Sequence, residues 1–164
     1  MATMTPAEEL DSCKYLSLAD IGEPEENALR LVVEEALVLD QEESLEINGV
    51  VLTGVRPIEV TDDSRRFEVV WETYVTYAVR NESYCHWDES EEWEGERLRT
   101  YSRSKFLDFV AAGTFADEHY PGPFKHYEVL CGNHIVDVAS ESEPVVRRLA
   151  PNNSSKPTPL RGAA

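Results

Sequence analysis

The strongest pattern in the chain is a period of two along Arg65–Ser83, RRFEVVWETYVTYAVRNES. Odd positions give Phe67, Val69, Trp71, Thr73, Val75, Tyr77 and Val79, and even positions give Glu68, Val70, Glu72, Tyr74, Thr76, Ala78 and Arg80. One nearly apolar face at this period predicts a strand half-buried against a core. The β-branched and aromatic residue types suit a pleated surface. Read as one element, residues 67–80 make a central strand on the order of 45 Å long, at ~3.3 Å per residue.

Other segments follow from the same kind of pattern. Thr5-Pro6-Ala7-Glu8 predicts a capped helix start, with the helix ending near Leu16. Residues 25–40 carry Leu29, Leu31, Val33, Leu37 and Leu39 on one side of a strand, or Leu29, Val32, Val33, Ala36 and Leu37 on a helix face. The valine pair favours the strand. Residues 49–61 predict a strand broken at Gly54 and ended by Pro57, pairing as a hairpin with Phe67–Arg80 across the turn at 61–64. Residues 84–96 read as a loop, and Arg97–Ser102 as a short returning strand. Ser104 caps a helix bearing Phe106, Leu107, Phe109 and Val110, which stops at Gly113. Phe124–Val138 predicts a last long strand bent at Gly132-Asn133. The expectation is one α+β domain over residues 1–150. It has an antiparallel sheet of four to five strands, helices packed on one face, and a flexible C-terminal tail over 151–164.

Within that frame, EVVWETYVTYAV resembles the long strand of SecB-type export chaperones, acidic proteins that combine an antiparallel sheet with helices. The resemblance covers about a dozen residues and brings no binding residue with it; what it implies is a holdase that presents sheet surface to unfolded chains.

Charge sharpens the functional picture. Against 15 basic residues stand 32 acids, a net charge of −17. Such a field repels nucleic-acid phosphate and anionic membrane surfaces, so neither is an expected partner. It steers toward a basic or hydrophobic protein surface instead. Three scattered cysteines, Cys13, Cys85 and Cys131, argue for free thiols in a reducing compartment. With no secretion signal at the start and no long apolar run, a cytoplasmic location is expected.

Three constellations carry candidate chemistry. Cys85-His86 with Cys131-x-x-His134 offers the ligand types of a zinc site, but adjacent residues on extended chain point apart, so no metal or cofactor is expected. His126, His134 and Asp137, with Glu72 or Tyr74 from the central strand, offer an imidazole oriented by a carboxylate, as a small enzyme or ligand-binding domain would use. Ser102 and Ser104 are the nearby hydroxyls. No GxSxG, HExxH or P-loop accompanies them, so no catalytic residue is assigned. The acidic loop carries Trp87 and Trp93 among Asp88, Glu91 and Glu92, and tryptophans rimmed by charge suit a protein-binding face. The function expected is a non-catalytic, acidic protein-interaction module.

Overall fold

The alternation at Phe67, Val69 and Trp71 is obeyed to the letter: all three side chains are fully buried, and the residues between them are only half-buried. In the computed structural model, which describes residues 3–152, that stretch is a six-residue strand rather than a fourteen-residue one. Helix α1 (Pro6–Asp11) comes first, followed by β1 (Leu16–Gly22), β2 (Leu29–Glu35) and β3 (Leu37–Val38). Next are β4 (Glu43–Ile47), β5 (Val50–Val55), β6 (Ile58–Glu59) and β7 (Arg66–Trp71). Then come β8 (Thr76–Asn81), β9 (Glu92–Glu94), β10 (Leu98–Arg103) and α2 (Lys105–Gly113). Strands β11 (Lys125–Leu130), β12 (His134–Ser140) and β13 (Val145–Leu149) complete the described chain.

The strands form two main antiparallel sheets, ordered β1-β2-β7-β13 and β8-β12-β11-β10-β9. At Glu72–Val75 the chain leaves the first sheet and enters the second. The Ser140 hydroxyl donates to the Thr73 carbonyl at 2.6 Å, and the Val75 N–H donates to Ala139 at 2.7 Å. Across the switch Thr73 is exposed, and both Tyr74 and Tyr77 pack against the core that holds Trp71. The alternating burial of β7 therefore ends at Trp71, and β8 does not continue it.

That core lies between the sheets. Leu29, Leu31, Val33, Phe67, Val69 and Trp71 come from one side, and Tyr127, Val129, Val136 and Val138 from the other. Each large apolar side chain buried here contributes about 1.5–3 kcal/mol relative to exposure. Residues 29–35 take the strand form that their valines favour, with Leu29, Leu31 and Val33 inward.

With 47% of the chain in strands and 12% helical, the protein is mainly β. The expected helices on one face are not there. Among the described residues there are two α-helices, and they serve different places. α1 has the predicted capping box from Thr5 and Glu8, ends at Asp11, sends Leu10 into the core and touches β13 and β10. α2, capped by Ser104 as expected, touches β12 of the other sheet.

Pairing departs from expectation in three places. Residues 50–55 do not pair with the central strand; they pair with 43–47 as a separate two-stranded ribbon, β4–β5, turning at Asn48-Gly49. Both turn residues have positive φ, 51° and 81°, the geometry of a tight hairpin that Asn-Gly adopts readily. The neighbours of β7 are β2 and β13, so residues too far along the chain to be read as a hairpin supply its partners. Second, Phe124–Val138 is not one bent strand but the hairpin β11–β12, and Cys131-Gly132-Asn133 is its turn. The turn is fastened to the first sheet: the Asn133 side chain bonds both the N–H and the carbonyl of Leu18, and the Gly132 N–H donates to Leu16. Third, the acidic loop contains β9, which forms the edge of the second sheet beside β10. Of the expected flexible tail, all but Pro151 and Asn152 lies outside the described residues. No helix among the described residues is long and apolar enough to cross a membrane.

Candidate functional site

The second sheet has two buried faces. Its inner face is apolar; its outer face carries a polar cluster whose ranks are set by strand register. Arg99 on β10 lies opposite Glu128 on β11, Glu128 opposite Asp137 on β12, and Asp137 opposite Ala78 on β8. The next rank brings Tyr101 opposite His126. Two carboxylates directly opposed on one sheet face repel each other. Arg80 resolves this by spanning both: its Nε donates to Asp137 Oδ2 at 2.7 Å and its Nη2 to Glu128 Oε2 at 3.0 Å. The other Glu128 oxygen accepts from the Tyr101 hydroxyl at 3.1 Å and from Arg99 at 3.4 Å.

His126 joins this network on one side and α2 on the other. Its Nε2 is 2.9 Å from Asp137 Oδ1 and its Nδ1 is 2.8 Å from Ser104 Oγ. With the ring proton on Nε2, the imidazole donates to Asp137 and accepts the serine hydrogen. Ser104 Oγ meanwhile accepts the Leu107 N–H at 3.0 Å as the helix cap. Tyr101 stacks on the imidazole at 4.3 Å between centroids, and Phe106 leans on it at 4.8 Å. The structure thus brings His126 and Asp137 together, as the candidate set requires, and adds Ser104 of the two serines considered. His134 is not part of the cluster, because residues 134 and 137 have opposite parity on β12 and so point to opposite faces. The Tyr74 hydroxyl bonds Glu23 instead, and Arg80 takes the place for which Glu72 was considered.

A serine–histidine–aspartate chain is the arrangement of nucleophilic chemistry, but here the serine oxygen is buried and already engaged. Ser104 is 2% exposed and its oxygen is committed to the helix cap. His126, Glu128 and Asp137 also place three ligand atoms within 4.8 Å of one another, a possible cation set. Every carboxylate oxygen there already accepts from an arginine, tyrosine or histidine, so a metal ion would have to displace a guanidinium. Burial, followed by the Asp137 charge, pushes the Glu128 carboxyl up to about 7 despite Arg99 and Arg80. Burial opposes the charged form of Asp137 as well, but bonds from His126 and Arg80 hold that carboxyl below its usual range. A cleft of about 220 Å³ lined by Arg80, Glu91, Lys105, His126, Glu128 and Asp137 opens beside the cluster.

The acidic loop lies over this face. Trp87 and Trp93 pack on the Arg99 guanidinium at 5.0 and 4.6 Å, and Trp93 also meets Tyr101 at 5.6 Å. Asp88 pairs with Lys105, Glu92 with Arg103, and Glu91 accepts the Lys105 N–H at the start of α2. The loop base is set by Asp11, whose Oδ1 accepts N–H groups from Glu96, Arg97 and Leu98 at 2.7–2.9 Å. The tryptophans retain 53% and 40% exposure, so they cover Arg99 while still presenting ring surface. Trp93 also lines a groove of about 530 Å³ with Glu92, Glu94, Tyr101 and Phe124.

A second exposed apolar surface lies on the β4–β5 ribbon. Leu45 pairs with Leu52 and Ile47 with Val50, so register places these four side chains on one face. They are 45–60% exposed, and Val51, paired with Glu46, is 59% exposed on the other face. Among the described residues each ribbon strand pairs only with the other, which leaves both outer edges without a strand partner. Asp40, Glu42, Glu43 and Glu46 lie in or next to it along the chain, and Arg56, just after β5, is 3.9 Å from Glu42. This surface escaped the sequence reading, although Asn48-Gly49 between two apolar runs is the signal that marks it.

Fold and surface together define a mainly β protein of two antiparallel sheets with a projecting apolar ribbon. Comparison with protein-family models, curated proteins and solved structures found no match.

Proposed function

We propose that this protein is a non-catalytic interaction module whose ribbon β4–β5 takes an extended, basic and partly apolar segment of a partner protein. The observation that carries this reading is the face formed by Leu45, Ile47, Val50 and Leu52. A two-stranded hairpin is at best marginally stable alone, and a third strand laid along either free edge would complete it. The partner's basic character follows from charge. The carboxylates around the ribbon outnumber Arg56, and a second copy would bring the same acids and the same net −17 against itself. Trp87, Trp93 and the acids Asp88, Glu91 and Glu92 provide a second acidic, aromatic surface of the same chemistry. A holdase of the kind the SecB resemblance implies would use the same ribbon on many clients rather than one.

The test uses a defined probe. An alternating Lys–Val peptide, titrated into the full chain and followed by amide NMR, is expected to perturb residues 43–55. Binding should weaken as salt rises, and an alternating Glu–Val peptide should bind at least tenfold more weakly. The double variant Ile47→Ser/Val50→Ser should lose about tenfold or more in affinity at an unchanged melting temperature, since both side chains already face water. Equal binding of the two peptides, or perturbations away from the ribbon, would sink the reading. So would a concentration-dependent dimer abolished by the double variant, which assigns the face to a second copy.

A further inference from the structure

The loop after α2 holds two aromatic rings in the open. Phe115 is 85% exposed and Tyr120 is 67% exposed, and their rings lie 6.1 Å apart and within 20° of parallel. They are set on a constructed support. Asp117 Oδ1 accepts the N–H groups of His119 and Tyr120 at 2.7 and 2.9 Å, and the Asp117 N–H donates to the Tyr120 carbonyl at 2.8 Å. The Thr114 hydroxyl donates back to Val110 at the end of α2, also at 2.8 Å. Phe115 and Tyr120 line a cleft of about 450 Å³ together with Thr73, Tyr74 and Val75, at the switch between the two sheets. Tyr74, whose hydroxyl bonds Glu23, and Glu141 are both among the lining residues.

The lining selects a ligand class. It contains no lysine, arginine or histidine to face the Glu141 carboxylate. Aromatic faces are negative by their quadrupole and attract cations within about 6 Å. An anion would meet Glu141 unopposed in a molecule of net charge −17, and a neutral apolar guest would desolvate that carboxylate without compensating it. An organic cation satisfies both features at once.

We infer that this cleft binds an alkylammonium cation, with its charge toward Glu141 and its alkyl groups against Tyr74, Phe115 and Tyr120. The site shares no residue with the ribbon, so it stands or falls independently of the interaction reading. The cation has two chemical sources, a free small amine or the methylated lysine side chain of a polypeptide.

The experiment is an amide NMR titration of the full chain with three probes: choline, its uncharged isostere 3,3-dimethylbutanol, and the amide of N-acetyl-trimethyllysine. Choline is expected to give saturable shifts at Gly113, Thr114, Ala116 and Glu141, with the uncharged isostere at least about tenfold weaker. Tyr120→Ala and Glu141→Gln should each weaken choline roughly three- to thirtyfold. Both side chains are exposed, so melting curves should match the parent, and Glu141→Gln preserves size should Tyr120→Ala alter the loop. Tighter binding of the lysine derivative assigns the polypeptide source, and tighter or equal binding of choline assigns the free amine. Equal affinity for choline and 3,3-dimethylbutanol, no saturable shift at tens of millimolar, or shifts confined to other residues would overturn the inference.

Discussion

Glu128 offers the sharpest quantitative check on the buried network. Its carboxyl has an ordinary value of 4.5 and is pushed up to about 7 in the folded protein, chiefly by burial and then by Asp137. Between those values the folded state holds a proton that the unfolded chain has released. Stability contributed by Glu128 is therefore fully present below about pH 4.5 and is lost as pH rises through about 7. At 1.36 kcal/mol per unit, the loss approaches roughly 3 kcal/mol. Asp137 works in the opposite sense and lower down: its carboxyl is held below 3.8, so its contribution is present above that value and disappears on further acidification. Self-repulsion among the 32 acids also reduces stability as pH rises, so the wild-type curve alone does not isolate Glu128. The informative quantity is the difference between wild type and Glu128→Gln, in which the ionisable group is removed and the shape retained. Urea unfolding at pH 5, 6, 7 and 8 should show that difference moving against the wild type by about 2–3 kcal/mol across the series. A constant difference would mean that Arg80 and Arg99 hold Glu128 fully ionised, refuting the raised value.

Two further changes test the fold. Trp71→Ala should cost about 3–5 kcal/mol in urea unfolding with little change in slope, since the ring is fully buried against Tyr127; a smaller loss would mean that the core collapses around the vacancy. Gly95→Ala should lower the melting temperature, because Gly95 has a φ of +92° and an added Cβ would lie 2.3 Å from the Leu98 carbonyl oxygen; an unchanged melting curve would show that the turn before β10 can relax.

Local elements were legible in the sequence wherever their cause was local. The α1 capping box lies within four consecutive residues, Thr5 to Glu8, and the Ser104 cap within another four, so both helix starts are read directly. The period-two burial of Phe67, Val69 and Trp71 is a property of the strand itself, as is the apolar side of residues 29–35. The acids 88–96 and the tryptophans were equally visible, and their concentration identifies a distinctive surface whatever lies beneath it.

What pairs with what required the three-dimensional structure. The residue alternation of Phe67–Arg80 runs on in the sequence, and nothing in it marks residues 72–75 as the passage from one sheet to the other. Arg80, Arg99 and Glu128 look like ordinary polar positions on their strands; only the registers 99↔128 and 128↔137 turn them into one cluster around the buried Glu128 and Asp137. His126, Asp137 and His134 could be grouped by residue type, yet strand parity admits the first two and turns the third away. The reason is physical. Strand pairing and sheet packing join residues dozens of positions apart, and their free energy comes from surfaces that exist only once both partners are in place. The chain encodes each face locally, and the fold decides which face each one meets.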